Sequence, residues 1–165
     1  MFPTLNDLKS ERPEDWPGLF LMVATVFLEA EGEPSLGRPA VAHVIWNRAK
    51  KPDRIDDVIL DPWDFSCWNA DYRTQAMKRL RNPDSAIWTE CWLAAISAVV
   101  GLRMDPTAGA THYMNEELTR KIRGGSLPGW VEAMTKTAEI GAHTFYKETI
   151  KVCSNPCLPA FSIIS

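Results

Sequence analysis

The sequence predicts an α+β fold, mostly helical with one small β-sheet. Three observations carry that expectation. Leu19 to Leu28 is apolar except for Thr25, which suits a helix buried on most of its faces. Ile87, Trp88, Cys91, Trp92, Ala95, Ile96 and Val99 recur at helical spacing as one apolar stripe. From Leu102 onward the texture changes to turn residues and short extended runs. The 165 residues fit a single domain, read as 1–165 with an arm at 1–17 and a tail at 150–165, and 45% hydrophobic content suffices for a core.

Taken in order, Met1 to Gly18 is rich in Pro, Asp and Glu and reads as an arm. It has one short helix around Leu5–Ser10, and Trp16 tucks against the body. The buried helix follows from Gly18 or Leu19 to Ala30. Gly32 stands where a left-handed C-cap would end it, and Pro34 blocks continuation. A second helix starts near Ser35 or Leu36, with Pro34 and Pro39 tolerable in or ahead of its first turn. It sets Ala40, Val41, Val44, Ile45, Trp46 and Ala49 at helical spacing and ends near Lys51, before Pro52. Asp53 to Asp64 is irregular, with a helical turn at Ile55–Leu60. Ser66 to Asn69 falls on a loop, where binding residues concentrate. Thr74–Leu80 is a short basic helix whose Lys78 and Arg79, with Arg81 beyond, read as a solvated face.

Pro83-Asp84-Ser85 opens the striped helix with capping chemistry, and Gly101 ends it. Ala110 to Asn115 is extended, and Glu116–Ile122 is a short helix. Gly124-Gly125 and Pro128-Gly129 mark a mobile loop around Trp130. Ala138 to Lys147 alternates as a strand that pairs with Ala110–Met114. The tail shows no amphipathic pattern.

Several function classes are disfavoured. A net charge of −3 argues against a nucleic-acid binder, which usually carries a basic face. Leu19–Leu28 is about half the ~20 residues a bilayer span needs, so no stable membrane insertion is expected. The first 18 residues have no basic n-region followed by an apolar h-region, as a secretory signal would. Cys91 reads as a core thiol; Cys153 and Cys157 form a lone C-x3-C that reads as free thiols in a reducing compartment, with a disulfide as the alternative. No zinc spacing exists among the four cysteines, and His43, His112 and His143 are scattered, so no metal or cofactor is expected. No serine or cysteine stands in a nucleophile elbow.

The chemistry-bearing stretch is VFLEAEGEPSLGRPAVAHVIWNR, Val26 to Arg48. Glu29 falls in the last turn of the buried helix. Its apolar neighbours and the negative end of the helix dipole, the latter worth about 0.3–1 kcal/mol, both favour a neutral carboxylic acid there. That is what a glycosidic bond needs as a general acid. Taken alone, the same residue reads sooner as a helix-end glutamate that reaches water than as a catalytic acid. Glu33 suits the start of the second helix as an orienting group, and Asp61 and Asp64 stay open as a second carboxylate. Among seven tryptophans, Trp88 and Trp92 read as core, while Trp63, Trp68 and Trp130 lie in loop-like segments suited to stacking on sugar rings.

Several strings resemble a known family. EAEGEP with GRPAVAHVIWNR is similar to the EARGEP…GQVAVAAVILNR signature of the SleB-like cell-wall hydrolases, the spore cortex-lytic enzymes and their phage endolysin relatives. FSCWN at Phe65–Asn69, DPTAGA at Asp105–Ala110, Tyr113-Met114-Asn115 and IGAHTFY at Ile140–Tyr146 resemble further segments of that family, in order. The resemblance implies a lysozyme-like single domain that degrades peptidoglycan, with Glu29 as the catalytic acid. It also implies substrate contacts from Glu33, Ser66, Trp68, Asn69, His112, Tyr113 and Asn115, with His143 structural. It favours a lytic transglycosylase acting on the bond between N-acetylmuramic acid and N-acetylglucosamine. A hydrolytic muramidase is the alternative, and a non-catalytic peptidoglycan-binding module a reading of another class. With no export signal, the expectation is a monomeric phage or prophage endolysin held in the host cytoplasm until the membrane is breached.

Overall fold

The computed structural model describes residues 2–62 and 64–149; Trp63 and residues 150–165, with Cys153 and Cys157, lie outside the described residues. Six α-helices and a three-stranded antiparallel sheet occur among them. Helix α1 spans Gly18–Ala30, and everything from Phe20 to Leu28 is buried. This follows from its composition, since each large aliphatic side chain taken out of water stabilises the fold by about 1.5–3 kcal/mol. The one polar residue in the run, Thr25, donates to the Leu21 carbonyl at 2.8 Å. Helices α2 (Gly37–Ala49), α3 (Ile55–Leu60), α4 (Ala70–Leu80) and α5 (Ser85–Val100) pack around α1. Asp84 caps α5 by accepting from the Ala86 and Ile87 N–H groups, and Gly101 ends it in the left-handed conformation. Helix α4 begins four residues earlier than the sequence suggests, because Asn69 already starts its first turn.

The arm is part of this core. Leu5 and Trp16 are buried, Phe2 stacks on Trp92 at 5.3 Å, and the indoles of Trp88 and Trp92 donate to the Pro3 carbonyl at 2.9 and 3.2 Å. Its helical turns are two short 3-10 segments, Leu5–Asp7 and Pro13–Asp15.

Helix α2 is shared by two cores. Val41, Ala42, Ile45 and Ala49 face the helices, whereas Ala40 and Val44 pack with Ala110, Ile140 and Phe145 of the sheet region. The strands are β1 (His112–Met114), β2 (Met134–Ile140) and β3 (His143–Glu148), in the order β1-β3-β2. Tyr113 pairs with Phe145 and Ala138 with Phe145 from the other side. The expected pairing of the last segment with 110–114 is present, but the single strand expected at 138–147 is a hairpin. Gly141, at φ +61°, turns the chain there. A Cβ at Gly141 would lie 2.8 Å from the Pro34 ring and press on the Glu33 carboxylate, in a left-handed conformation that side chains rarely adopt, so any substitution there is strained. The loop expected around Trp130 is partly a 3-10 turn, Gly129–Ala133, leading into β2.

The end of α1 differs from expectation as well. Gly32 is not left-handed; Glu31 closes the helix in ordinary helical geometry. The last carbonyls of the helix are satisfied without a left-handed cap, by two arginines and, at Ala30, also by the Glu33 N–H at 3.2 Å. Arg79 donates to the Leu28 carbonyl at 3.0 Å and binds Glu31. Arg38, 6% exposed, donates to the Ala30 and Glu33 carbonyls at 3.1 Å each and pairs with Glu90 of α5. Residues 38 and 79 thus hold the chain on both sides of Glu29, and each brings positive charge to the negative helix end.

Candidate active site

Glu29 projects from the held end of α1 into a cleft of about 460 Å³. Val44 and Arg48 of α2 line one side, Asp64 to Ser66 another, and β1 with Asn115 and α6 (Glu116–Ile122) the far wall. Tyr113 donates its hydroxyl to the Glu29 carboxylate at 2.9 Å. Burial first, then the Glu29 charge, raises the tyrosine far above its usual range. Burial and then Glu29 likewise push the Cys67 thiol up. Both groups are neutral at pH 7, so the two side chains that interact with Glu29 here are proton donors.

The Tyr113 ring is held from behind by His143 at 4.9 Å and Phe145 at 5.6 Å. His143 lines the cleft, and its Nδ1 is buried with no hydrogen-bond partner among the described residues. Asn115 accepts from the Leu118 N–H at 2.9 Å and so caps α6. Leu118 and Ile122 of that helix leave apolar surface open to the cleft, Ile122 at 75% exposure. Trp130 sits 5.2 Å from His112 and edge-on to Tyr146, giving the cleft one aromatic wall.

Of the residues the sequence points to, Glu29, Ser66, His112, Tyr113 and Asn115 come together in this cleft, with Trp130. Three do not. Trp68 is 8% exposed and belongs to the core, its indole donating to Thr25 at 2.9 Å and its ring edge-on to Trp16. Asn69 serves the turn into α4, its carbonyl accepting from the Tyr72 and Arg73 N–H groups at 2.9 Å. Glu33 accepts the Ala142 N–H at 2.8 Å and pins the β2–β3 turn to the start of α2. Gly37 permits this approach, since a Cβ there would meet that of Glu33 at 2.6 Å.

Sequence reasoning missed Arg48, which forms an ion pair with Asp64 across the cleft mouth. Asp61, the other open carboxylate, is exposed and does not line the cleft. Sequence reasoning also missed the role of Asp105. Its carboxylate accepts from Thr107 N–H and Oγ1, from Asn47 Nδ2 and from Gly109 N–H, all within 2.8 Å, fixing the turn that launches β1. Burial alone would raise Asp105, but these donors outweigh it and hold the carboxyl below its usual range. His43, His112 and His143 are all lowered, chiefly by burial.

These shifts have one sign for stability. Unfolded histidines take up protons near pH 6.5 that the folded ones resist, and an unfolded Asp105 does so near pH 3.9. The urea midpoint is therefore expected to fall as pH drops from 7 to 5, and again below about 4. A midpoint that rises over either interval contradicts this account.

A sequence profile of the cell wall hydrolase family matches residues 32–146, beginning just after Glu29. A spore cortex-lytic enzyme of Halalkalibacterium halodurans is 33% identical over 128 residues, covering 76% of this chain and 33% of the relative. Its counterpart from Oceanobacillus iheyensis is 31% identical over 134 residues, covering 77% of this chain and 40% of the relative. The chain thus spans a third to two fifths of the length of the curated relatives it matches. Among solved structures, the catalytic domain of the Bacillus cereus SleB protein superposes with a TM-score of 0.58 at 26% identity, covering 88% of this chain and 98% of that one. The catalytic domain of the germination-specific lytic transglycosylase SleB from Bacillus anthracis gives 0.57 at 25% identity, covering 84% and 98%. The mostly helical, lysozyme-like α+β expectation agrees with both.

Proposed function

We propose that this chain, which belongs to the cell wall hydrolase family, cleaves peptidoglycan glycan strands as a lytic transglycosylase with Glu29 as its single acid and base. The observation that carries this reading is the composition of the cleft around Glu29. Among the described residues, the other carboxylate lining it, Asp64, is engaged by Arg48. Glu33 is spent on the Ala142 N–H. Most glycoside hydrolases use a second carboxylate to activate water or to form the glycosyl-enzyme, at about 5–9.5 Å from the acid. A transglycosylase does not.

In the proposed reaction Glu29 gives its proton to the bridging oxygen between N-acetylmuramic acid and N-acetylglucosamine, and that bond breaks. The carboxylate left behind then takes the proton of the muramic C6 hydroxyl, whose oxygen closes onto C1. No water enters, and Glu29 ends protonated as it began. Tyr113 positions the carboxylate and steadies it in its charged phase. Leu118, Ile122 and Trp130 offer apolar surface to the faces of the sugar rings, and Ser66, His112 and Asn115 offer polar edges.

The test is mass spectrometry of fragments released from purified sacculi. 1,6-Anhydromuramic ends are expected; reducing muramic ends would instead assign a muramidase, and no release would leave a binding module. Tyr113→Phe is expected to lower kcat/KM about tenfold, the worth of roughly 1.5 kcal/mol for a hydrogen bond to a charged group. A KM change with kcat intact would place Tyr113 in ground-state binding instead.

A further inference from the structure

The cleft that holds Glu29 continues past Thr111 and His112. A second groove, of about 630 Å³, shares Arg48, Thr111 and His112 with it and extends along Lys50, Lys147 and Glu148. Its charged groups are two ammoniums and one guanidinium against the single carboxylate of Glu148. Arg48 is already paired with Asp64 at the shared border. Lys50 sits at the left-handed C-cap of α2, and Lys147 on β3 reaches only the Ala108 carbonyl, at 3.4 Å. Neither lysine is paired with a carboxylate among the described residues, and both are exposed. A groove with a cationic majority runs against the sign of the whole chain, which carries −3.

From this placement we infer that the second groove takes the carboxylates of the peptide stems borne by muramic acid, so that the protein favours peptide-substituted strands over naked ones. The inference rests on the glycan-cleaving reading above. A strand seated at Glu29 carries a stem on every other sugar, and stems end in free carboxylates. A stem leaving the cleft at His112 enters the groove between Lys50 and Lys147. Two exposed ammonium–carboxylate contacts together give about three- to tenfold in affinity, and salt screens them over about 8 Å.

The anion could also be a wall polyphosphate, so the experiment separates the two sources. Glu29→Gln protein, which binds without turnover, is co-sedimented with three preparations of sacculi. One is intact, one is freed of phosphate polymers by hydrofluoric acid, and one is stripped of stems by an amidase. Binding is expected to survive the acid treatment and to weaken three- to tenfold on stripping. Adding Lys50→Gln and Lys147→Gln is expected to remove the difference between intact and stripped sacculi. Equal binding to both by the protein with its lysines intact overturns the groove assignment while leaving the glycan reading in place. Loss with acid treatment and retention after stripping overturns it in favour of phosphate. Failure to sediment with any preparation overturns the glycan reading as well.

Discussion

Glu29→Gln is expected to lower kcat/KM for strand cleavage by about three orders of magnitude, within the range a positioned general acid supplies. The substitution is chosen because it removes only the proton. Glutamine keeps the shape of the side chain, and its carbonyl oxygen still accepts from the Tyr113 hydroxyl. The helix end is held by Arg38 and Arg79, which do not touch this carboxylate, so the fold does not depend on it. The thermal midpoint should therefore stay within about 2 °C of the parent, the shift that well under 1 kcal/mol produces in a domain this size. Asp64→Asn is the informative companion. In a single-carboxylate mechanism it costs only the contact with Arg48, and less than tenfold in rate is expected. In a hydrolase with Asp64 as base it would cost nearly as much as Glu29→Gln. Retention of more than a tenth of the activity by Glu29→Gln would remove Glu29 from the reaction.

Which residues were legible in advance follows from the range of the interactions involved. Helices α1, α2 and α5 could be read because burial decides them, and burial writes itself into local apolar spacing. Strand β2 could not. Met134–Ile140 is half polar, is bulged at Lys136–Ala138 and buries little besides Ile140, so it shows no alternation to detect. The motif segments led to Glu29, Tyr113 and Asn115 because they are fixed by elements adjacent in sequence. Trp68 was misread for a long-range reason. Its loop position suggested a sugar platform, but its N–H is drawn inward by Thr25. The signal was present in part: a lone threonine inside an apolar helix has a second lone pair that some buried donor can use. The guanidiniums at the end of α1 left no such mark. Arg38 and Arg79 find their carbonyls 8 and 51 residues away along the chain, and only the assembled fold pairs them.

Arg38→Met is expected to destabilise the protein by about 2–3 kcal/mol, the range for removing the charged donor from an enclosed acceptor. Methionine replaces the apolar stem, so the loss is not mainly one of packing volume. What disappears is the donor shared by the Ala30 and Glu33 carbonyls, both at 3.1 Å from the same Nη1. The Ala30 carbonyl keeps the Glu33 N–H at 3.2 Å, so the Glu33 carbonyl is the acceptor left without a partner among the described residues, at a cost of about 1–3 kcal/mol. In a domain of this length the unfolding midpoint should drop by roughly 4–12 °C. The reciprocal substitution need not match it. The Glu90 side chain is 48% exposed and can be hydrated when Arg38 no longer faces a charge. Glu90→Gln keeps an acceptor oxygen for Nε and should cost about 1 kcal/mol or less. The asymmetry is the measurable quantity: equal losses would mean that the ion pair, not the carbonyl bonds, carries the stabilisation. A larger loss at Arg38 means that this side chain works chiefly as the cap of α1. Frayed there, the helix would release the Glu29 carboxylate from its fixed reach to Tyr113. Arg38→Met should then lose activity on warming before it loses its helical signal, whereas Glu90→Gln should lose both together.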